Sequence, residues 1–137
     1  MVERIGKEEG KILAKDEFQR SLDELKSARI LQENDLQFKS IASSYYAVYH
    51  AAKAALLLKG VVPQSHEGVE RMLSLYYVKT GELEVNIGRL VGRLMKLREE
   101  ADYYPESTFS LNESTDALKM ANEFVEYIQK NVKFDTY

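Results

Sequence analysis

The chain has 137 residues, a formal net charge of -3, no cysteine, and 45% hydrophobic residues. That length suits one domain with a sizeable core, and the composition argues against disorder. The absence of cysteine excludes disulfides, thiolate metal sites and cysteine nucleophiles, and the negative balance excludes a general nucleic-acid glove, so any such site must be local.

The opening, MVERIGKEEGK, is charged and lacks an apolar core, so no secretory signal is expected. The longest unbroken apolar run, residues 54–58, is far too short to span a bilayer. A cytoplasmic protein with no membrane contact is the expectation.

A first helix is predicted to begin within residues 7–11 and to run to about residue 32, burying Phe18, Leu22, Leu25, Ala28 and Leu31, with Leu13 joining at the start. Asn34-Asp35 breaks the pattern, and Asp35 is placed to cap the next helix. The second helix extends from about residue 36 to the Lys59-Gly60 pair, where glycine suits a left-handed cap. At about 100° per residue, Phe38, Ile41, Ala42, Tyr45, Val48, Tyr49, Ala52 and Leu56 share its core face. A flanking stripe carries Tyr46, His50, Lys53 and Leu57: a phenol, an imidazole and an ammonium where a structural helix more often has plain solvated charge.

Ser65 is a natural N-cap for a short third helix with Val69, Met72, Leu73 and Tyr76 as its apolar positions, stopped by Thr80-Gly81. A fourth helix is expected over residues 83–103, burying Ile87, Leu90, Val91, Leu94, Leu97 and Ala101. Pro105 forces Tyr104 out of helical geometry. Residues 105–110 read as a polar loop around Phe109, and Ser110 with Glu113 reads as a capping box. The last helix buries Leu118, Ala121, Val125, Ile128 and Val132. No stretch alternates with period two. The fold is therefore all-α: a single up-and-down antiparallel bundle over residues 1–137, with four main helices and one short one.

Chemistry is sparse. His50 and His66 fall on different elements without a metal-ligand spacing, and no metal or other cofactor is expected. Gly88 and Gly92 suit a close helix approach. Arg89, Arg93 and Lys96 lie opposite the apolar arc, either as a wet face or as a local anion contact. Arg98 differs, because its angle falls inside that arc; Asp102 one turn on is its natural partner, in a structural pair or beside a functional cleft.

The blocks SYYAVYHAAKAALLLKG, SHEGV, VKTGEL and LREEADYYP, in that order, resemble the HEPN superfamily, in particular its small stand-alone bacterial and archaeal branch. The resemblance implies a helical bundle that usually dimerises. It also implies one of two activities. Many members are metal-independent ribonucleases that use an arginine followed four to six residues later by histidine; others are non-catalytic partners of minimal nucleotidyltransferases in toxin–antitoxin pairs. Arg98 matches the motif arginine, but the tract continues Glu99-Glu100-Ala101-Asp102-Tyr103-Tyr104 without histidine. The resemblance thus implies a dimeric module associated with a nucleotide or RNA and paired with a minimal nucleotidyltransferase. The alternatives are a divergent ribonuclease using Arg98 with His50 or Tyr103, and a purely structural scaffold. Cleft candidates are Tyr46, His50, Lys53, Arg98, Asp102 and Tyr103. Strong general ribonuclease activity is not expected, because tyrosine is a poor base near neutral pH.

Overall fold

The computed structural model describes residues 3–105 and 109–134; residues 106–108 of the expected polar loop lie outside them. The elements are β1 (Glu3–Arg4), α1 (Lys7–Glu33), α2 (Gln37–Leu58), β2 (Val61–Val62), α3 (His66–Leu73), a π-turn (Ser74–Val78), α4 (Val85–Tyr103) and α5 (Leu111–Asn131). This is the expected up-and-down helical bundle, with α3 as the short helix. The two-residue antiparallel pair β1–β2 was not legible as strand, since two residues cannot show alternation. It ties the start of α1 to the turn after α2.

Helix α2 runs through the centre. Beyond the predicted stripe it also buries Ser40, Ser44, Ala47, Ala51, Ala54, Ala55 and Leu57. The sequence reading favoured large apolar residues and passed over these small ones. Small side chains let α1 come close: Ser21 donates to the Ala47 carbonyl at 2.6 Å, and Ser40 donates to the Ala28 carbonyl at 2.8 Å. At the far end, a Cβ on Gly10 would lie 2.3 Å from the Leu57 carbonyl oxygen. Consequently Gly10 and Ala14 face α2, and Leu13, expected inside, is 39% exposed.

Several predicted ends are present. The Ser65 hydroxyl accepts from the Gly68 N–H at 2.9 Å, Ser110 and Glu113 form the reciprocal capping box, and Gly60 has φ 74° after α2. Tyr104 is extended before Pro105, where α4 stops. Asp35 is a correction. It closes α1 instead of opening α2, with φ 60°. Its N–H donates to the Gln32 carbonyl and that of Leu36 to the Leu31 carbonyl, the paired bonds of a Schellman ending. Tyr76 packs partly buried against the core as expected, and Tyr77 joins it more deeply. The Lys79 N–H reaches back five residues to the Ser74 carbonyl, and the wider turn rotates Tyr77 inward. The Tyr77 hydroxyl donates to the Ala55 carbonyl. Gly88 and Gly92 do admit close neighbours: Cβ atoms there would meet Val78 at 2.8 Å and the Glu70 carboxylate at 2.6 Å.

Gly10→Ala is expected to push α1 off α2 and to destabilise the protein by roughly 1–3 kcal/mol. Gly6→Ala, with open space around its position, is the control. Urea denaturation of both variants checks this; equal midpoints would contradict the close α1–α2 approach.

Candidate functional site

Arg98 projects from α4 onto α2. Its guanidinium carbon lies 5.1 Å from the centroid of the Tyr45 ring and 5.8 Å from that of Tyr46. One terminal nitrogen, Nη1, donates to Asp102 Oδ2 at 3.1 Å and reaches the Tyr46 hydroxyl at 3.5 Å. The ion pair is not a buried one, because the Asp102 side chain is 57% exposed against 21% for Arg98. Nε is buried and has no hydrogen-bond partner among the described residues, and Nη2 has none either but is not buried. The guanidinium is thus anchored through Nη1, with Nε enclosed without a protein partner and Nη2 open to solvent. The Nε/Nη2 edge is a planar two-donor fork whose geometry matches a phosphate or carboxylate.

Tyr45 is almost fully buried, at 1% exposure. Its hydroxyl lies 2.6 Å from Nδ1 of His66, in the first turn of α3. Burial holds the Tyr45 phenol far above its ordinary value of 10.0, with the Arg98 charge opposing, so the hydroxyl keeps its proton. The His66 ring packs against Tyr49 at 4.4 Å between centroids and 14° between planes, and lies edge-on to Tyr46 at 6.1 Å. Burial, and then the Arg98 charge, lower the His66 pKa below 6.5, so the imidazole is neutral at neutral pH. Burial also raises Tyr49, followed by the nearby Glu17 charge.

His50 and Lys53 turn the other way, toward α1. His50 Nδ1 lies 2.6 Å from Glu17 Oε2, and Lys53 Nζ lies 3.7 Å from Glu17 Oε1. Burial alone would raise the Glu17 carboxyl. The His50 hydrogen bond and the Lys53, His50 and Arg20 charges outweigh it and hold the carboxyl below 4.5. Tyr49 separates the two groups, with its ring edge-on to His50 at 5.1 Å.

Of the sequence candidates, Tyr46, Arg98 and Asp102 come together. His50 and Lys53 belong instead to the Glu17 cluster, because an ionised carboxylate on α1 attracts both. Leu57 is in the core at 3% exposure, so the Tyr46–Leu57 stripe is satisfied within the chain and does not itself call for a second copy. Tyr103 is 83% exposed and, among the described residues, its ring packs on Tyr104 at 5.4 Å, with no contact to Arg98. Arg89, Arg93 and Lys96 lie on the outer side of α4, away from this cluster. Sequence reasoning missed His66, Tyr45 and Glu17 as site residues. The signal for His66 was present: it stands in the SHEGV block, directly after the Ser65 cap. Among the described residues no three His, Asp or Glu side chains are grouped to hold a metal ion, and no helix is long and apolar enough to cross a membrane.

A family model described as the HEPN domain matches residues 14–132. A Methanocaldococcus jannaschii protein named as a candidate toxin is 38% identical over 111 residues, which is 81% of this chain and 82% of that protein. A Thermotoga maritima protein named UPF0332 is 28% identical over 109 residues, 80% of this chain and 83% of that one. The crystal structure of TT1696 from Thermus thermophilus superposes with a TM-score of 0.76 at 16% identity, over 87% of this chain and 98% of that one, a likeness of fold.

The Glu17 carboxyl gives the first chemical test of this geometry. A carboxyl held below its ordinary value stabilises the fold above that value, and the contribution is lost as pH falls through the depressed one. Wild type is therefore expected to lose stability on acidification from about pH 5 downward more steeply than Glu17→Gln, measured by thermal melts across pH. Parallel curves for the two proteins would contradict the Glu17–His50–Lys53 assignment.

Proposed function

Because the chain belongs to the HEPN domain family, we propose that it is a toxin-like HEPN module. In this reading the Arg98 cluster binds the phosphate of a nucleotide or RNA, the module acts as a homodimer, and its partner is a minimal nucleotidyltransferase. The observation that carries the proposal is the vacant Nε/Nη2 edge of Arg98, half buried and unpartnered against two tyrosine rings. A buried donor without an acceptor is costly, and an anion accepts from both nitrogens at once. The toxin-like name of a relative supports the class. The dimer and the nucleotidyltransferase rest on the family resemblance.

Cleavage of RNA is not needed for this reading, since the residues after Arg98 offer no imidazole. One observation favours a ribonuclease as the second reading. His50 is oriented through Nδ1 by an ionised Glu17, the arrangement of a histidine positioned for proton transfer through its other nitrogen. His50 itself is not in contact with Arg98; Tyr46, one turn earlier on α2, is what reaches the guanidinium.

Fluorescence anisotropy with a short single-stranded RNA, run beside sedimentation, tests the proposal. Wild type should sediment as a dimer. Arg98→Ala should weaken RNA binding at least about tenfold, the worth of a charge-assisted contact. It should cost little stability, about 0–1 kcal/mol for so exposed an ion pair. Unchanged affinity in Arg98→Ala would overturn the phosphate-binding role. In the same samples, cleavage in EDTA that is lost in both His50→Ala and Arg98→Ala would establish the second reading instead.

A further inference from the structure

We propose that His66 is a second anion-binding residue: its Nε2–H and the Nε/Nη2 edge of Arg98 form a two-sided pocket for one phosphoryl group, and buried Tyr45 is the positioning residue that fixes His66 as a donor. This rests on the phosphate-binding reading of Arg98 and adds to it a residue delivered by α3, outside the arginine–histidine spacing on α4.

The Tyr45 hydroxyl decides which nitrogen of His66 carries the hydrogen. It has one proton, its ring is enclosed, and the acceptor in contact is His66 Nδ1 at 2.6 Å. Donating to Nδ1 satisfies both buried groups. The opposite arrangement, with Nδ1–H donating to the phenol oxygen, would leave the phenolic proton without an acceptor inside the protein, at a cost of about 1–3 kcal/mol. A neutral imidazole that accepts at Nδ1 carries its hydrogen on Nε2. Nε2 has no partner among the described residues and is not buried. It is a solvent-facing donor on a ring packed at 14° against Tyr49 and so unable to turn freely.

The two donors share a wall. Arg98 lies over the face of Tyr45, and His66 is bonded to the hydroxyl of that same ring. The charge of Arg98 is close enough to depress His66, with Glu67 on α3 opposing it and His50 and Lys53 on α2 adding to it. A group placed between them meets a positive fork on one side and a neutral N–H on the other. A tetrahedral phosphoryl group fits that pattern: two oxygens on Nε and Nη2, a third on His66. A planar carboxylate also fits the fork, but it has no third oxygen to set toward His66 out of the guanidinium plane. The competing interpretation is a histidine that merely satisfies Tyr45. It accounts for Nδ1 but not for an open Nε2 beside an arginine whose own fork is vacant.

The test uses the full ¹⁵N-labelled chain and inorganic phosphate, read by long-range ¹H–¹⁵N spectra of the imidazoles and by the Arg98 Nε–H resonance. Before phosphate, His66 should be the neutral tautomer protonated at Nε2. Phosphate should move His66 Nε2 and Arg98 Nε together with one affinity. His66→Ala should weaken that affinity roughly ten- to a hundredfold, the range for a hydrogen bond to a charged group. His66→Gln, whose amide nitrogen lies near the place of Nε2, should restore most of it. Tyr45→Phe should leave His66 in mixed tautomers and weaken phosphate binding. A His66 protonated at Nδ1 overturns the proposal, as does phosphate that moves Arg98 Nε while His66 Nε2 stays still; in the latter case the Arg98 reading survives. No movement of either resonance overturns both. Should the Ala variant fail to fold, the tautomer and the paired shifts in wild type decide the matter alone.

Discussion

Helix α2 is enclosed on nearly every side, and this constraint shapes the rest of the molecule. A helix in that position can send few of its polar side chains to water, Lys39 among them. Each of the others must find a partner on a neighbouring helix or carry a desolvation cost. Ser40 answers to α1, as does the Ala47 carbonyl through Ser21. Tyr45 answers to His66 on α3, Tyr46 to Arg98 on α4, and His50 to Glu17 on α1. The site is thus not a pocket added to a finished bundle. It is what results when a tyrosine-rich, histidine-bearing helix is placed in the middle.

The two histidines show how one constraint yields two different chemistries. Glu17 is ionised and can only accept, so His50 presents a hydrogen to it at Nδ1. The Tyr45 hydroxyl lies against Nδ1 of His66, and a phenolic hydrogen donated there would place the His66 hydrogen on Nε2. The two rings therefore serve different partners: His66 belongs to the Tyr45–Arg98 cluster and His50 to the Glu17 cluster.

Much of the fold was legible because its signals are local. The Ser65 cap, the Ser110–Glu113 box, the Gly60 ending and the Pro105 stop each depend on a few adjacent residues, and each is present. Asp35 was misread because aspartate suits both a helix start and a left-handed ending, and only the Leu31 and Gln32 carbonyls decide between them. Tyr77 escaped because a π-turn shifts angular position in a way that a period of 3.6 cannot anticipate. The all-round burial of α2 escaped because alanine and serine carry little hydrophobic signal while permitting the closest packing. The site was legible on α4, where Arg98 and Asp102 are one turn apart. Across helices it was not: nothing in the spacing pairs His50 with Glu17 or Tyr45 with His66, which lie 33 and 21 residues apart.

The central claim is that the vacant edge of Arg98 is built to receive an anion. A crystal structure with a bound dinucleotide tests it most directly. The account predicts phosphate oxygens at hydrogen-bond distance from both Nε and Nη2 of Arg98, with Nη1 still on Asp102. A phosphate bound elsewhere with that edge empty, or the edge filled by a carboxylate from a second protein chain, would contradict it.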